Sequence, residues 1–155
     1  MSKAAGGERP KKKTKVTNLY SKEDVLKHKF LTNIYVDDAT RKTLKKWETK
    51  CPKLIGKIIN LQKKGIADFV SGKGDVRPEP HGHIRIGMAG SNYRVYGKFI
   101  PGSDNEVLIS MLAQIKPSDS LNRNDKNKLK AWEKIINDGD YELIEWSEKD
   151  KKEGK

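Results

Sequence analysis

The stretch from His83 to Ile100 decides the fold, and it reads HIRIGMA, then GS, then NYRVYGKFI. Apolar and polar side chains alternate in both flanking runs, which is typical of β-strands with one buried face. The Gly-Ser pair between them predicts a two-residue type II′ turn, in which Gly90 takes a positive φ. The stretch therefore predicts a β-hairpin.

A turn at Gly90 and Ser91 also fixes the register and assigns each side chain to a face. The pairs expected on the core side are Met88 with Tyr93, Ile86 with Val95, and Ile84 with Gly97. The opposite face then carries Arg94, Arg85, Tyr96, His83 and Lys98. A solvated face normally mixes both charge signs, and this one has no acid. The pattern favours an anion-binding face over an ordinary solvent-facing side.

Helices are predicted on both sides of the hairpin in the chain. A strand at residues 31–36 precedes Asp37 and Asp38, which can cap a helix that runs to about Lys50. Pro52 then suits the first turn of a second helix, and Gly65 suits its end.

After the hairpin, residues 107–113 predict a central strand, and Asn124 is a candidate N-cap for a last helix that Gly139 ends. Residues 141–146 predict a possible final strand. The fold class expected is α+β, with a small antiparallel β-sheet, two N-terminal helices and a C-terminal helix packed on one face.

Length and charge divide the chain of 155 residues into one domain and two tails. Residues 1–29 contain nine basic and three acidic side chains, so they predict a disordered basic arm, in which Lys11, Lys12 and Lys13 are candidates for RNA binding. Residues 31–146 form the predicted domain, and residues 147–155 a solvated tail.

The formal charge of +12 predicts a polyanionic partner, with nucleic acid, anionic membrane and acidic protein as the candidates. We expect no membrane span and a cytoplasmic protein, because no apolar run approaches roughly 18 residues. The single cysteine, Cys51, excludes an internal disulfide. His81 and His83 lack an obvious third ligand, so no metal and no cofactor are expected.

These residues resemble the RelE/ParE toxin superfamily, and in particular its HigB-like branch. The resemblance covers residues 31–137. It is carried by Pro52-Lys-Leu-Ile-Gly-Lys-Ile-Ile-Asn-Leu, by Ile84-Arg-Ile with Gly90-Ser-Asn-Tyr-Arg-Val-Tyr96, and by Val107-Leu-Ile-Ser-Met-Leu followed by Lys116 and a helix.

The resemblance implies a metal-independent mRNA endoribonuclease that acts on the ribosome and is paired with an antitoxin protein. Basic side chains would stabilise the phosphorane while the ribose 2′-OH attacks the adjacent phosphate. Carried over residue by residue, Arg85 and Arg94 would hold the scissile phosphate, His83 and Lys116 would complete the catalytic set, and His81, Lys98 and Tyr96 would bind RNA.

Two departures from the family pattern keep other functions open. The C-terminal end lacks the Tyr or His that usually donates a proton in the family, unless Tyr141 does so. After the last core strand the family often has a Lys-Lys pair, whereas this chain has the single Lys116. The alternatives are a non-catalytic protein of the same fold that binds nucleic acid or host machinery, and a ParE-like topoisomerase inhibitor.

Overall fold

A computed structural model of the protein describes residues 13–102, 107–115 and 121–145, and these residues form seven strands and four helices. The strands are β1 (Thr14–Asn18), β2 (Asn33–Val36), β3 (Val76–Pro78), β4 (Ile84–Ile86), β5 (Tyr93–Phe99), β6 (Val107–Ile115) and β7 (Tyr141–Ile144). The helices are α1 (Lys22–His28), α2 (Asp38–Lys50), α3 (Pro52–Lys64) and α4 (Arg123–Asp138). Short 3-10 turns lie at Ile66–Phe69 and Pro80–Gly82.

The strands form one sheet in the order β3-β4-β5-β6-β2-β1-β7. The pairs β2–β6 and β1–β7 are parallel, and the other neighbours are antiparallel. The α+β class is thus confirmed, whereas the small, wholly antiparallel sheet is wrong. The sheet is mixed because β2 lies parallel to β6, the last of the antiparallel strands β3 to β6, and because β1 and β7, from the two ends of the described chain, also pair in parallel.

Local signals at the helix ends were largely sufficient to place the helices. Asp37 caps α2 by accepting a hydrogen bond from the backbone N–H of Thr40 at 3.0 Å, and Pro52 begins α3. Gly65 follows α3 with a φ of 96°. For α4 the predicted cap is wrong by two residues, because Asn122 rather than Asn124 accepts the hydrogen bond from the N–H of Asp125, at 2.8 Å.

The predicted hairpin register is confirmed over the paired part of β4 and β5. Ile84 lies opposite Gly97, Arg85 opposite Tyr96, and Ile86 opposite Val95. The two-residue turn is wrong: β4 ends at Ile86, and the backbone N–H of Ser91 donates to the carbonyl of Met88 at 3.1 Å. Gly90, with a φ of 77°, is therefore the third residue of a turn within a longer loop.

Helices cover both faces of the sheet, so the prediction that they pack on one face is wrong. Ile34, Val95 and Leu108 belong to a core with α2 and α3, whereas their strand neighbours belong to a second core with α4. Those neighbours are Tyr35, Tyr96 and Ile109. Because successive side chains of a strand point to opposite faces, the two cores lie on opposite sides of the sheet.

Part of the predicted N-terminal arm is folded. Residues 14–28 form β1 and α1, and Val16 is fully buried between the sheet and α4. β1 is an internal strand, since it pairs with β2 on one side and β7 on the other. The folded domain therefore begins by Thr14; residues 1–12 and the predicted tail of residues 147–155 lie outside the described residues.

Candidate nucleic-acid interface

The face of the hairpin predicted to bind anions is covered by α4. Arg85 is 4% exposed, His83 1% and Tyr96 0%. Tyr96 packs in the α4 core, and α4 also contacts the turn at Pro80–Gly82. The register prediction placed these side chains on the same face, and the centre of that face is buried rather than exposed to a ligand.

Charges of both signs surround the buried hydroxyl of Tyr96. Four charged side chains lie close enough to the Tyr96 hydroxyl to shift its pKa electrostatically: the acids Glu79 and Asp125 and the bases Arg85 and Arg94. Burial is the main cause that raises the pKa of Tyr96 to about 12. Asp125 comes from the first turn of α4 and is itself buried. Buried charges are stable when opposite charges are near, and here two acidic side chains lie near the same hydroxyl as the two arginines.

His83 is a neutral side chain in this environment. Burial is the first cause that lowers its pKa to about 4, and the charge of Lys98 lowers it further. Its Nδ1 lies 3.1 Å from the carbonyl oxygen of His81, which fixes the proton on Nδ1 because a carbonyl only accepts. Nε2 is buried and has no hydrogen-bond partner within the described residues. Such an imidazole carries no second proton to donate as an acid at neutral pH, and it is buried away from solvent.

The remaining residues of the predicted face are partly exposed but engaged. Arg94 extends over Gly87 and donates from Nη1 to the carbonyls of Tyr93, at 3.0 Å, and Ser91. The Lys98 ammonium lies against Gly82. Nδ1 of His81 is 3.4 Å from Oε1 of Glu133 on α4.

The other predicted site residues do not join this group. Lys13 is exposed immediately before β1. Lys11, Lys12 and Lys116 lie outside the described residues. The structure thus brings together the hairpin residues and His81, in an arrangement whose centre is buried.

Exposed positive charge is instead concentrated on α2 and α3. Between Asp38 and Lys64 the sequence has nine Lys and Arg but two acidic residues. Lys42 pairs with Asp38 at 3.2 Å, Lys45 with Glu48 at 3.4 Å, and Lys57 with Asp75. The exposed lysines of this helix pair that have no carboxylate partner within the described residues are Lys46, Lys50, Lys53, Lys63 and Lys64, here called the helix-pair lysines.

Part of this charge has a structural explanation. Lys50, Lys63 and Lys64 lie in the last turns of their helices, where the helix dipole stabilises a cation. Lys53 lies in the first turn of α3, where the dipole opposes it and no acid is present. A lysine at position 53 thus lowers the stability of α3 by about 0.3–1 kcal/mol, so folding does not explain its presence.

An open pocket of about 470 Å³ adjoins this helix pair where α2 meets α3. Its apolar wall is formed by Met88, Tyr93 and Ile115, and its rim includes Lys50 and Lys53. The volume is within the roughly 300–1,000 Å³ of small-molecule sites. Sequence reasoning missed this site because its parts come from three separate segments; the excess of lysine over acid in residues 38–64 was the available signal.

Other classes of site have no support in the described part of the chain. It contains no group of three or more His, Cys, Asp or Glu side chains that could hold a metal ion. None of the helices it includes is long and apolar enough to cross a bilayer. Comparisons with protein-family models, with curated proteins and with solved structures gave no match.

Proposed function

We propose that this protein binds RNA without cutting it, through the helix-pair lysines. The observation that carries the proposal is the charge of α2 and α3, where five exposed lysines have no carboxylate partner within the described residues. Such lysines release counterions when they contact phosphates, and that release supplies most of the sequence-independent affinity for nucleic acid.

The dimensions of the helix pair suit a strand that contacts several phosphates. Lys64 lies eleven positions after Lys53, which corresponds to about 16 Å along α3. That distance spans several phosphate spacings of a nucleic-acid strand. The two ends of the helix pair can thus contact one strand at separate phosphates.

A salt titration tests this function. Five phosphate contacts predict a slope of about −3.5 in log Kobs against log salt for a single strand, or roughly a 100-fold loss of affinity between about 50 and 200 mM salt. Fluorescence anisotropy with a short labelled single-stranded RNA measures it. Changing all five helix-pair lysines to Gln is expected to flatten the slope by about 3 to 4.

A variant with the same loss of charge elsewhere is the matched control. Its five Lys→Gln changes are at Lys15, Lys22, Lys27, Lys126 and Lys130, all exposed. This variant is expected to keep most of the slope. If both variants lower the slope equally, or if the unchanged protein fails to bind RNA at about 50 mM salt, the proposal is wrong.

The endoribonuclease suggested by the RelE/HigB resemblance remains a second hypothesis with its own test. It requires RNA to reach Arg85 and His83, so α4 would have to move. Induced expression would then produce new mRNA ends that an Arg85→Ala/Arg94→Ala variant lacks. Growth arrest or RNA binding with intact mRNA favours binding alone.

The RelE-like identity of the fold also stands as a proposal. Residues 33–138 follow the expected order of strand, two helices, antiparallel strands and helix. The added β1 and α1, and the helices on both faces of the sheet, depart from the compact pattern that the resemblance implies.

A further inference from the structure

We infer that the pocket between the α2–α3 junction and the β4–β5 loop binds one unstacked base of a single-stranded RNA. Lys50 and Lys53 on its rim would hold the flanking phosphates. The inference rests on the proposed RNA binding and adds to it a preference for single strands. A duplex cannot supply this ligand, because its bases are paired and stacked.

The pocket wall suits a flat aromatic ligand. Tyr93 contributes a ring that is held edge-on to Trp47, with centroids 4.8 Å apart and an interplanar angle of 86°. Trp47 is buried, so the orientation of the Tyr93 ring is set by the core. Ile115 is 57% exposed at the same pocket, a large apolar surface that a stacked base would cover.

The charge of the pocket rim favours an anionic ligand. Lys50 and Lys53 are exposed, and none of the described residues that line the pocket is acidic. Asn92, also exposed, offers an amide donor and acceptor to a base edge. Because the rim has two lysines and no acid among the described residues, a cationic ligand is disfavoured. An anion with an aromatic part, which is what a nucleotide within a strand presents, satisfies both the wall and the rim.

Changes at Tyr93 test the stacking contact. Tyr93→Leu keeps an apolar side chain but removes the ring, and we expect it to weaken single-stranded RNA binding about 5- to 100-fold. Tyr93→Phe keeps the ring and is expected to bind like the unchanged protein. Phe69→Leu, at an exposed aromatic residue outside the pocket, is the matched control and is expected to have no effect.

Inorganic polyphosphate separates stacking from charge, because it is a polyanion without bases. Tyr93→Leu is expected to leave polyphosphate binding unchanged, whereas Lys50→Gln/Lys53→Gln is expected to weaken both ligands.

The single cysteine allows a second measurement on the unchanged protein. Cys51 lines the pocket and is partly exposed, so the rate at which iodoacetamide alkylates it reports whether the pocket is occupied. A saturating single-stranded RNA is expected to slow alkylation several-fold, and saturating polyphosphate to slow it much less. This readout does not depend on a variant that folds.

The outcomes separate the pocket from the general RNA-binding function. Loss of affinity in Tyr93→Leu alone, together with protection of Cys51 by single-stranded RNA, supports the base pocket. The pocket proposal is wrong if Tyr93→Leu binds RNA as well as the unchanged protein, or if duplex RNA protects Cys51 as well as single-stranded RNA does. If RNA binding still depends on salt and on the helix-pair lysines in that case, the proposed function stands. Absence of any RNA binding overturns both.

Discussion

Acidification tests whether His83 is buried as the structure describes. The pKa of His83 is lowered from 6.5 to about 4, first by burial and then by the charge of Lys98. In the pH range between these values the unfolded chain binds a proton that the folded protein does not bind. Stability contributed by the neutral imidazole is therefore present above pH 6.5 and is lost as the pH falls.

The size of the loss follows from the pKa difference. A drop from 6.5 to about 4 corresponds to about 3 kcal/mol when the loss is complete, and to about 2 kcal/mol between pH 7 and pH 5. Carboxylates also titrate below pH 5, so the comparison is best made between pH 7 and pH 5. The measured quantity is the free energy of unfolding from urea titrations at several pH values.

His83→Asn supplies the reference for this experiment. Its amide can still donate toward the carbonyl of His81, but it does not titrate. Every other ionisable group is retained, so the pH dependence of the other groups cancels between the two proteins. We expect the unchanged protein to lose about 2 kcal/mol more than the variant between pH 7 and pH 5. Parallel losses, within about 0.5 kcal/mol, would show that His83 is solvated and that its face of the sheet is open.

Three further predictions concern the N-terminus, the centre of the sheet and the interior of α3. Deleting residues 1–12 is expected to change the free energy of unfolding by less than about 0.5 kcal/mol, whereas deleting residues 1–29 removes the internal strand β1 and should abolish the cooperative urea transition. Gly97→Ala would place a Cβ 2.9 Å from the carbonyl oxygen of Ile109, so we expect it to destabilise the protein by about 1–3 kcal/mol. Gly56→Ala, in the interior of α3 with open space around it, should instead stabilise the protein by about 0.5–1 kcal/mol. Urea titration measures the free energy of unfolding of both glycine variants. A less stable Gly56→Ala, or a Gly97→Ala as stable as the unchanged protein, would contradict the packing described.

Sequence reasoning succeeded where the signal was local. The cap at Asp37, the proline at the start of α3 and the glycine after it placed α2 and α3, and alternation in the hairpin gave the register of β4 and β5. These features depend on residues a few positions apart, and their physical causes act over the same distance. The position of Gly90 in its turn was missed because a loop of several residues can preserve the register that a two-residue turn would set.

Non-local packing explains the larger errors. β1 is a short strand in a lysine-rich segment, and it is held by β7, whose paired residues lie 127 positions further along the chain. The apolar stripe of α4 predicts that the helix packs against something, but it does not say which face of the sheet it covers. Because α4 covers the hairpin face, a surface that alternation marks as polar is a core.

The charge of a face can therefore be interpreted only together with the segments that pack on it. The hairpin supplies Arg85 and Arg94 without an acid of its own, but Glu79 and Asp125, from outside the hairpin, lie near the same Tyr96 hydroxyl and bring negative charge to it. On α2 and α3 the excess of lysine has no such compensation within the described residues. A buried charge needs an opposite charge nearby, so a buried cation is explained by the fold itself. An exposed cation needs no such partner. A surface cation that the fold leaves unpaired is therefore a better marker of an external anion than a buried cation is. By that criterion we propose that RNA contacts the helix pair and its pocket, whereas the buried Arg85 is part of the packed face beneath α4.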